Sequence, residues 1–154
     1  MREALRLTID TSVFISRLRE NDPSHADSRA FLDALPGKAV IIILPTLVGP
    51  EMAGATRRFT GQPLLAREAL ELLDALPNLN LVAVDQQLAA GAANLAAETG
   101  MRGGDAVFAA TAQLFDSVIV SLDKDHASRC PKDLRAFTPG EALAELLSAE
   151  SPGV

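Results

Sequence analysis

The sequence predicts an α/β fold built on a central parallel sheet, and three observations carry that expectation. Short apolar runs of strand length alternate with helix-like segments along the whole chain. No hairpin signal joins one such run to the next. One run, Ala39-Val40-Ile41-Ile42-Ile43-Leu44, is apolar without interruption. Alternation of the two element types places parallel strands between crossover helices, and an unbroken apolar run suits a strand covered on both faces. The expected architecture is a three-layer sandwich: a parallel sheet of four to five strands flanked by helices, with right-handed crossovers.

Leu5-Arg6-Leu7-Thr8-Ile9 reads as a first strand running into Asp10. Asp22-Pro23 has the form of an N-cap followed by proline at the first helical position. The helix it opens carries Ala26, Ala30, Phe31, Ala34 and Leu35 and stops at Pro36-Gly37. Ala39 to Leu44 is the second strand, ended by Pro45. A helix is expected from about Pro50 and another from Pro63 to Leu76, with apolar residues at helical spacing. Leu79 to Val84 is the third strand. Asp85 caps an Ala-rich helix, Leu88 to Ala97 with Gly91 inside, which should pack closely on a neighbour and stop at Gly100. Asp105 opens a helix through Phe115, Val118 to Leu122 is the fourth strand, a weak strand surrounds Arg135-Ala136-Phe137, and a last helix spans Pro139 to Leu147.

The 154 residues suit a single domain, 1–154, with a core to residue 149 and a loose tail over 150–154. Hydrophobic content of 48% against 22% charged residues argues for a folded chain over a disordered one. Met1-Arg2-Glu3-Ala4-Leu5-Arg6 carries charges where a secretory signal needs an apolar core, and the longest apolar run falls far short of the ~20 residues of a membrane helix. A cytoplasmic protein with no membrane association is expected. Cys130 is the only cysteine, which excludes an internal disulfide and a Cys-rich zinc site and leaves a semi-buried thiol.

The net charge of −6 opposes a generic nucleic-acid-binding surface, which usually has a basic excess. Six Phe with no Trp or Tyr also leave little for base stacking. A nucleic-acid substrate would have to be held by metal ions and a few local arginines.

Asp10, Glu51, Asp105 and Asp123 each stand where an apolar segment gives way to a turn or a helix start. Each has a plain structural explanation. Asp10 and Asp105 suit N-caps, Glu51 suits a helix first turn, and Asp123 suits a turn. Together they carry more weight, because ligands of open α/β sheets bind in the crevice at the carboxyl ends of the strands. Converging carboxylates repel in a low-dielectric cleft unless a cation sits among them. Oxygen donors without soft ligands point to Mg2+ or Mn2+, and such a site suits hydrolysis of a phosphodiester. Ser12 follows Asp10 by two residues and Ser121 precedes Asp123 by two, so Ser121 on a strand would face the same crevice as Asp123. Asp125 is a further candidate acid, and His126 a candidate for phosphate contact or proton transfer. His25, with no partner in view, is expected at the surface.

Four blocks resemble those of PIN-domain proteins, in order: Ile9-Asp10-Thr11-Ser12-Val13-Phe14, Pro45-Thr46-Leu47-Val48-Gly49-Pro50-Glu51-Met52-Ala53, Gly104-Asp105-Ala106-Val107-Phe108-Ala109-Ala110 and Ile119-Val120-Ser121-Leu122-Asp123-Lys124-Asp125. They are most similar to the small VapC-type toxins of type II toxin–antitoxin pairs, over a span from Leu7 to about Leu147. The resemblance implies a PIN-like sandwich and a Mg2+- or Mn2+-dependent endoribonuclease acting on single-stranded or looped RNA. It also implies a homodimer, inhibited by a small antitoxin whose C-terminal segment fills the acidic groove. By position Asp10, Glu51, Asp105 and Asp123 match the family's acidic quartet, and Ser12 and Ser121 its small hydroxyl positions. Two departures are that Ser121 stands where Thr is more usual and that Pro50 directly precedes Glu51; neither removes an acid. Arg17, Arg57, Arg58, Arg102 and Lys124, near the acids in sequence, are candidate grips on the substrate phosphates.

Alternatives remain at this level. An aspartate-nucleophile phosphatase of the haloacid dehalogenase type would need a second acid where Ser12 stands. A PIN-like binding module without activity would be expected to lack an acid. A PIN nuclease of RNA processing with no toxin role is not separable by sequence.

Overall fold

The computed structural model describes residues 3–150, except for the side chains of Asp125 and Ala127. The expected loose tail beyond Glu150 and any role for the Asp125 side chain therefore lie outside the described residues. Glu150 itself is tied down by an ion pair to Lys38 Nζ at 2.5 Å.

Strands β1 (Leu5–Ile9), β2 (Val40–Pro45), β3 (Leu79–Val82), β4 (Val118–Val120) and β5 (Ala136–Phe137) form one parallel sheet in the order β3-β2-β1-β4-β5. The helices between them are α1 (Thr11–Leu18), α2 (His25–Ala34), α3 (Val48–Thr60), α4 (Pro63–Ala69), α5 (Glu71–Asp74), α6 (Gln86–Thr99), α7 (Gly103–Phe115), α8 (Lys124–Arg129) and α9 (Pro139–Ser148). This is the α/β sandwich that the alternating pattern predicted.

The strand period of two sorts the core into two clusters. Leu7, Ile9, Ile42, Leu44, Val118 and Val120 pack with Phe14 of α1, Phe31 of α2, Met52 of α3 and Leu146 of α9. Ile119 belongs to a second cluster, with Leu88, Ala92 and Leu95 of α6 and Ala106, Ala109 and Ala112 of α7. The alanines let α6 and α7 approach closely, as the Ala-rich composition implied. Fully burying a side chain such as Phe31 or Leu44 contributes about 1.5–3 kcal/mol, so removing either would unpick the first cluster.

Ends and lengths differ from expectation where local hydrogen bonds compete with the pattern. Asp22-Pro23 does not open α2. The Asp22 carboxylate instead accepts the Ser24 N–H at 2.8 Å and the Ser16 hydroxyl at 3.2 Å, closing a turn that delays the helix to His25. Helix α3 begins at Val48, so Pro50 lies within its first turn, where its missing N–H costs nothing. The single helix expected over Pro63 to Leu76 is two, α4 and α5, parted at Leu70. β3 ends at Val82 and leaves Leu81 55% exposed, as an edge strand does. β4 stops at Val120, because Leu122 N–H turns away from the sheet to the Ser12 hydroxyl. Helix α8, absent from the elements expected above, has too few residues to show an apolar period.

The Asp85 cap and the Gly100 stop are where the sequence put them. Asp85 Oδ1 accepts the Leu88 N–H at 2.8 Å, and Gly100 takes φ +74°, a left-handed conformation that costs other residues. Among the described residues no helix is long and apolar enough to cross a membrane.

Candidate metal centre

β1 pairs with β2 on one side and β4 on the other, so successive crossovers leave β1 in opposite directions and open a crevice at the carboxyl ends of β1 and β4. Asp10 stands at that end of β1. Its backbone N–H donates to Val120 O at 2.8 Å, which ties it to the last residue of β4. Asp10 is the N-cap residue of α1 by position, yet its side chain makes no capping hydrogen bond. The carboxylate points elsewhere: Oδ2 accepts from Ser12 Oγ at 2.7 Å and from Ser121 Oγ at 3.0 Å.

Each hydroxyl is itself oriented. Ser12 Oγ accepts the Leu122 N–H at 3.2 Å, and Ser121 Oγ accepts the Asp123 N–H at 3.0 Å. A hydroxyl has one proton, and with a backbone donor on each oxygen both protons are directed to Asp10 Oδ2. Among the described residues Oδ1 carries no hydrogen bond and is left for another ligand. Ser121 therefore reaches Asp10 from beyond the end of β4, not by sharing a strand face with Asp123 as expected.

Asp105 is not the N-cap of α7. Arg102 holds that position, and Asp105 sits in the first turn, where a helix N-terminus favours negative charge. Glu51 comes from the first turn of α3 and lies over the start of α7, its carboxylate oxygens 3.6 and 3.7 Å from where a Gly104 Cβ would be. Its Oε1 is buried and, among the described residues, makes no hydrogen bond. Burial first, then the charges of Asp10 and Asp105, push the Glu51 carboxyl from 4.5 up to about 7. Burial, followed by Asp10, likewise raises Asp105; Asp123 adds to the rise, while His126 and Arg102 oppose it. The four predicted acids thus share one electrostatic neighbourhood.

His126, on sequence a candidate for phosphate contact or proton transfer, lies among the acids. It is 1% exposed, and among the described residues neither ring nitrogen has a hydrogen-bond partner. Donor atoms of Asp10, Asp105 and His126 lie within 4.8 Å of one another. No local signal could have found this placement, because α8 is too short to show an apolar period.

The candidate substrate grips divide. Arg102 is exposed and close enough to Asp105 to lower its pKa, and Lys124 is exposed at the first position of α8. Arg17 bonds Asp33 at 3.1 Å. Arg57 and Arg58 occupy the last turn of α3, roughly two turns (about 10 Å) from Glu51 along the helix axis. His25, expected at the surface, is half-buried, with Nδ1 3.0 Å from Ser16 O.

The donor set fits a divalent cation. It holds one carboxylate with a buried oxygen unpartnered among the described residues, that of Glu51, one nitrogen donor near the acids, and a repulsion from Asp10 and Asp105 that adds to burial in raising Glu51 to about 7. A cation would remove that repulsion.

The family model of the PIN domain matches residues 7–132. No curated protein sequence matches the chain. Among solved structures it is similar to VapC20 of Mycobacterium tuberculosis, described as a sarcin–ricin-loop-cleaving toxin, at TM-score 0.68 and 16% identity, covering 84% of this chain and 98% of that one. It is also similar to FitAcB from Neisseria gonorrhoeae (TM-score 0.64, 21% identity, 86% and 97% covered). A toxin–antitoxin complex from Klebsiella pneumoniae matches at TM-score 0.61 and 20% identity, with 86% and 97% covered. At these identities the likeness is one of fold.

Proposed function

This chain belongs to the PIN-domain family, and from that premise we propose that it is a divalent-metal-dependent endoribonuclease, the toxin of a type II toxin–antitoxin pair. The observation that carries the reading is the cluster itself: Asp10, Glu51, Asp105 and Asp123, from four distant segments, lie close enough to perturb one another. A structural role does not require four acids from distant segments to be gathered within reach of one another's charge. The toxin assignment is supported by the toxin and toxin–antitoxin neighbours.

In this reading Asp10, Glu51, Asp105 and Asp123 hold Mg2+ or Mn2+. The bound cation supplies Lewis-acid activation of water and of the phosphodiester. Ser12 and Ser121 fix the Asp10 carboxylate so that one oxygen is committed to hydroxyls and the other faces the ligand. Arg102 and Lys124, exposed beside the acids, take the flanking phosphates of the RNA. Arg17, Arg57 and Arg58 extend that contact along α1 and α3, with Arg17 first having to leave Asp33. The partners are the RNA substrate, a small antitoxin reaching the acidic groove, and a second copy in a homodimer.

The test is incubation of purified protein with single-stranded and transfer RNA, with Mg2+ or Mn2+ and with EDTA, beside an Asp10→Asn variant. Cleavage that needs the metal and is lost in the variant is the expected result. No cleavage, with no metal-induced rise in melting temperature, would overturn the reading.

A further inference from the structure

We infer that His126 supplies an imidazole nitrogen to the cation held by Asp10 and Asp105, giving a mixed carboxylate–imidazole site that selects a transition-series divalent ion over Mg2+. The inference rests on the metal-dependent reading above and names which ion and which further donor.

A buried polar group without a hydrogen bond is costly, and nearly all such groups in folded proteins have a partner. His126 has two ring nitrogens in that condition while only 1% exposed. It is not deprived of acceptors, because carboxylate oxygens of Asp10 and Asp105 lie within 4.8 Å of one ring nitrogen. Yet no hydrogen bond or ion pair to either carboxylate forms. The spacing is too wide for direct contact and close to that of groups sharing an ion. Two donors at ~2.1 Å from one cation stand at most about 4.2 Å apart. Small side-chain adjustments bring all three groups within that reach.

The nitrogen changes which ion fits. Mg2+ takes oxygen ligands and sheds water reluctantly, whereas divalent transition ions accept imidazole readily. An all-carboxylate site has no such preference built in; a site with His126 turned into it does. The position on the short helix α8 also explains why the ring is buried at all: Lys124 and Ser128–Arg129 of that helix are exposed while His126 faces inward.

Mn2+ is the probe, because its pulsed electron paramagnetic resonance spectrum reports a directly bound 14N. The chain has two histidines, and His25 already bonds Ser16 O, so His25→Gln is the control. The coupling is expected in wild type and in His25→Gln. It is expected to vanish in His126→Gln, with the preference for Mn2+ over Mg2+ in competition titration falling roughly tenfold or more, as when one group around a bound metal is removed. Should His126→Gln not fold, 15N-histidine labelling of His25→Gln converts the coupling to that of 15N with residue 126 intact. Mn2+ bound with no nitrogen coupling would overturn this inference and leave the carboxylate nuclease standing. Failure to bind either Mn2+ or Mg2+ would overturn both.

Discussion

The Ser121 hydroxyl donates to Asp10 Oδ2 at 3.0 Å across 111 positions of sequence, while Ser121 Oγ itself accepts the Asp123 N–H at 3.0 Å. One side chain thus joins the carboxyl ends of β1 and β4 and orients an acid on the first while holding the backbone of an acid on the second. Ser12 repeats the device from the other side through Leu122 N–H. The site is built by two hydroxyls as much as by four acids.

Ser121→Ala removes that link. It takes the Ser121 acceptor from the part-buried Asp123 N–H, a loss of about 1 kcal/mol. Metal affinity and RNA cleavage are expected to fall about 10–100-fold, the usual effect of losing a group that orients a metal ligand. Ser121→Thr keeps the hydroxyl and is expected to retain most of both. Titration calorimetry with Mn2+ and denaturant unfolding of the three proteins check this; equal affinity in wild type and Ser121→Ala would show the link to be idle.

Asp85 tests stability away from the acids. Its carboxylate caps α6 through Leu88 N–H, so Asp85→Ala is expected to lower unfolding free energy by about 1 kcal/mol. Cation affinity should not change. A large loss of Mn2+ binding in this variant would mean that the placement of α7, which packs on α6, depends on that cap.

Cys130 is half-buried, and burial pushes its thiol up to about 11. The thiolate is the reactive form, so labelling by a disulfide reagent near neutral pH is expected to be far slower than for a free thiol and to rise sharply in denaturant. Cys130→Ala should cleave RNA at the wild-type rate. Rapid labelling of the folded protein would contradict the burial described.

What the sequence made legible was whatever a single segment encodes. The unbroken run at Val40 to Leu44, the Asp85 cap and the Gly100 stop are decided by neighbours a few residues away, and each is where its residues put it. The acids were legible as a set because each stands where one readable element ends or the next begins. What was hidden depends on partners distant in sequence or competing nearby. Asp22 looks like a helix cap until Ser16 is beside it; His25 looks exposed until the Ser16 carbonyl reaches its ring. Leu122 looks like strand until Ser12 takes its N–H. His126 sits in a helix too short to show a period, so nothing local announced that it turns inward to Asp10 and Asp105.

Glu51 gives the metal-free protein a pH dependence of definite sign. Its carboxyl titrates near 4.5 in the unfolded chain and at about 7 in the folded one, and Asp105 is shifted in the same direction. Between those values the folded state binds more protons than the unfolded state, so stability falls as pH rises through that window and levels off above about 7. The more familiar paired carboxylate, with a lowered folded pKa, behaves oppositely. Glu51→Gln removes the largest of these shifts, and the metal-free variant should show a flatter profile of melting temperature from pH 4.5 to 7. A cation that binds the folded site stabilises it by mass action and favours the ionised acids. The rise in melting temperature on adding Mn2+ is therefore expected to be larger at about pH 7.5 than at about pH 5. A rise of equal size at both, with an unaltered profile in Glu51→Gln, would mean that Glu51 does not share the cluster's charge.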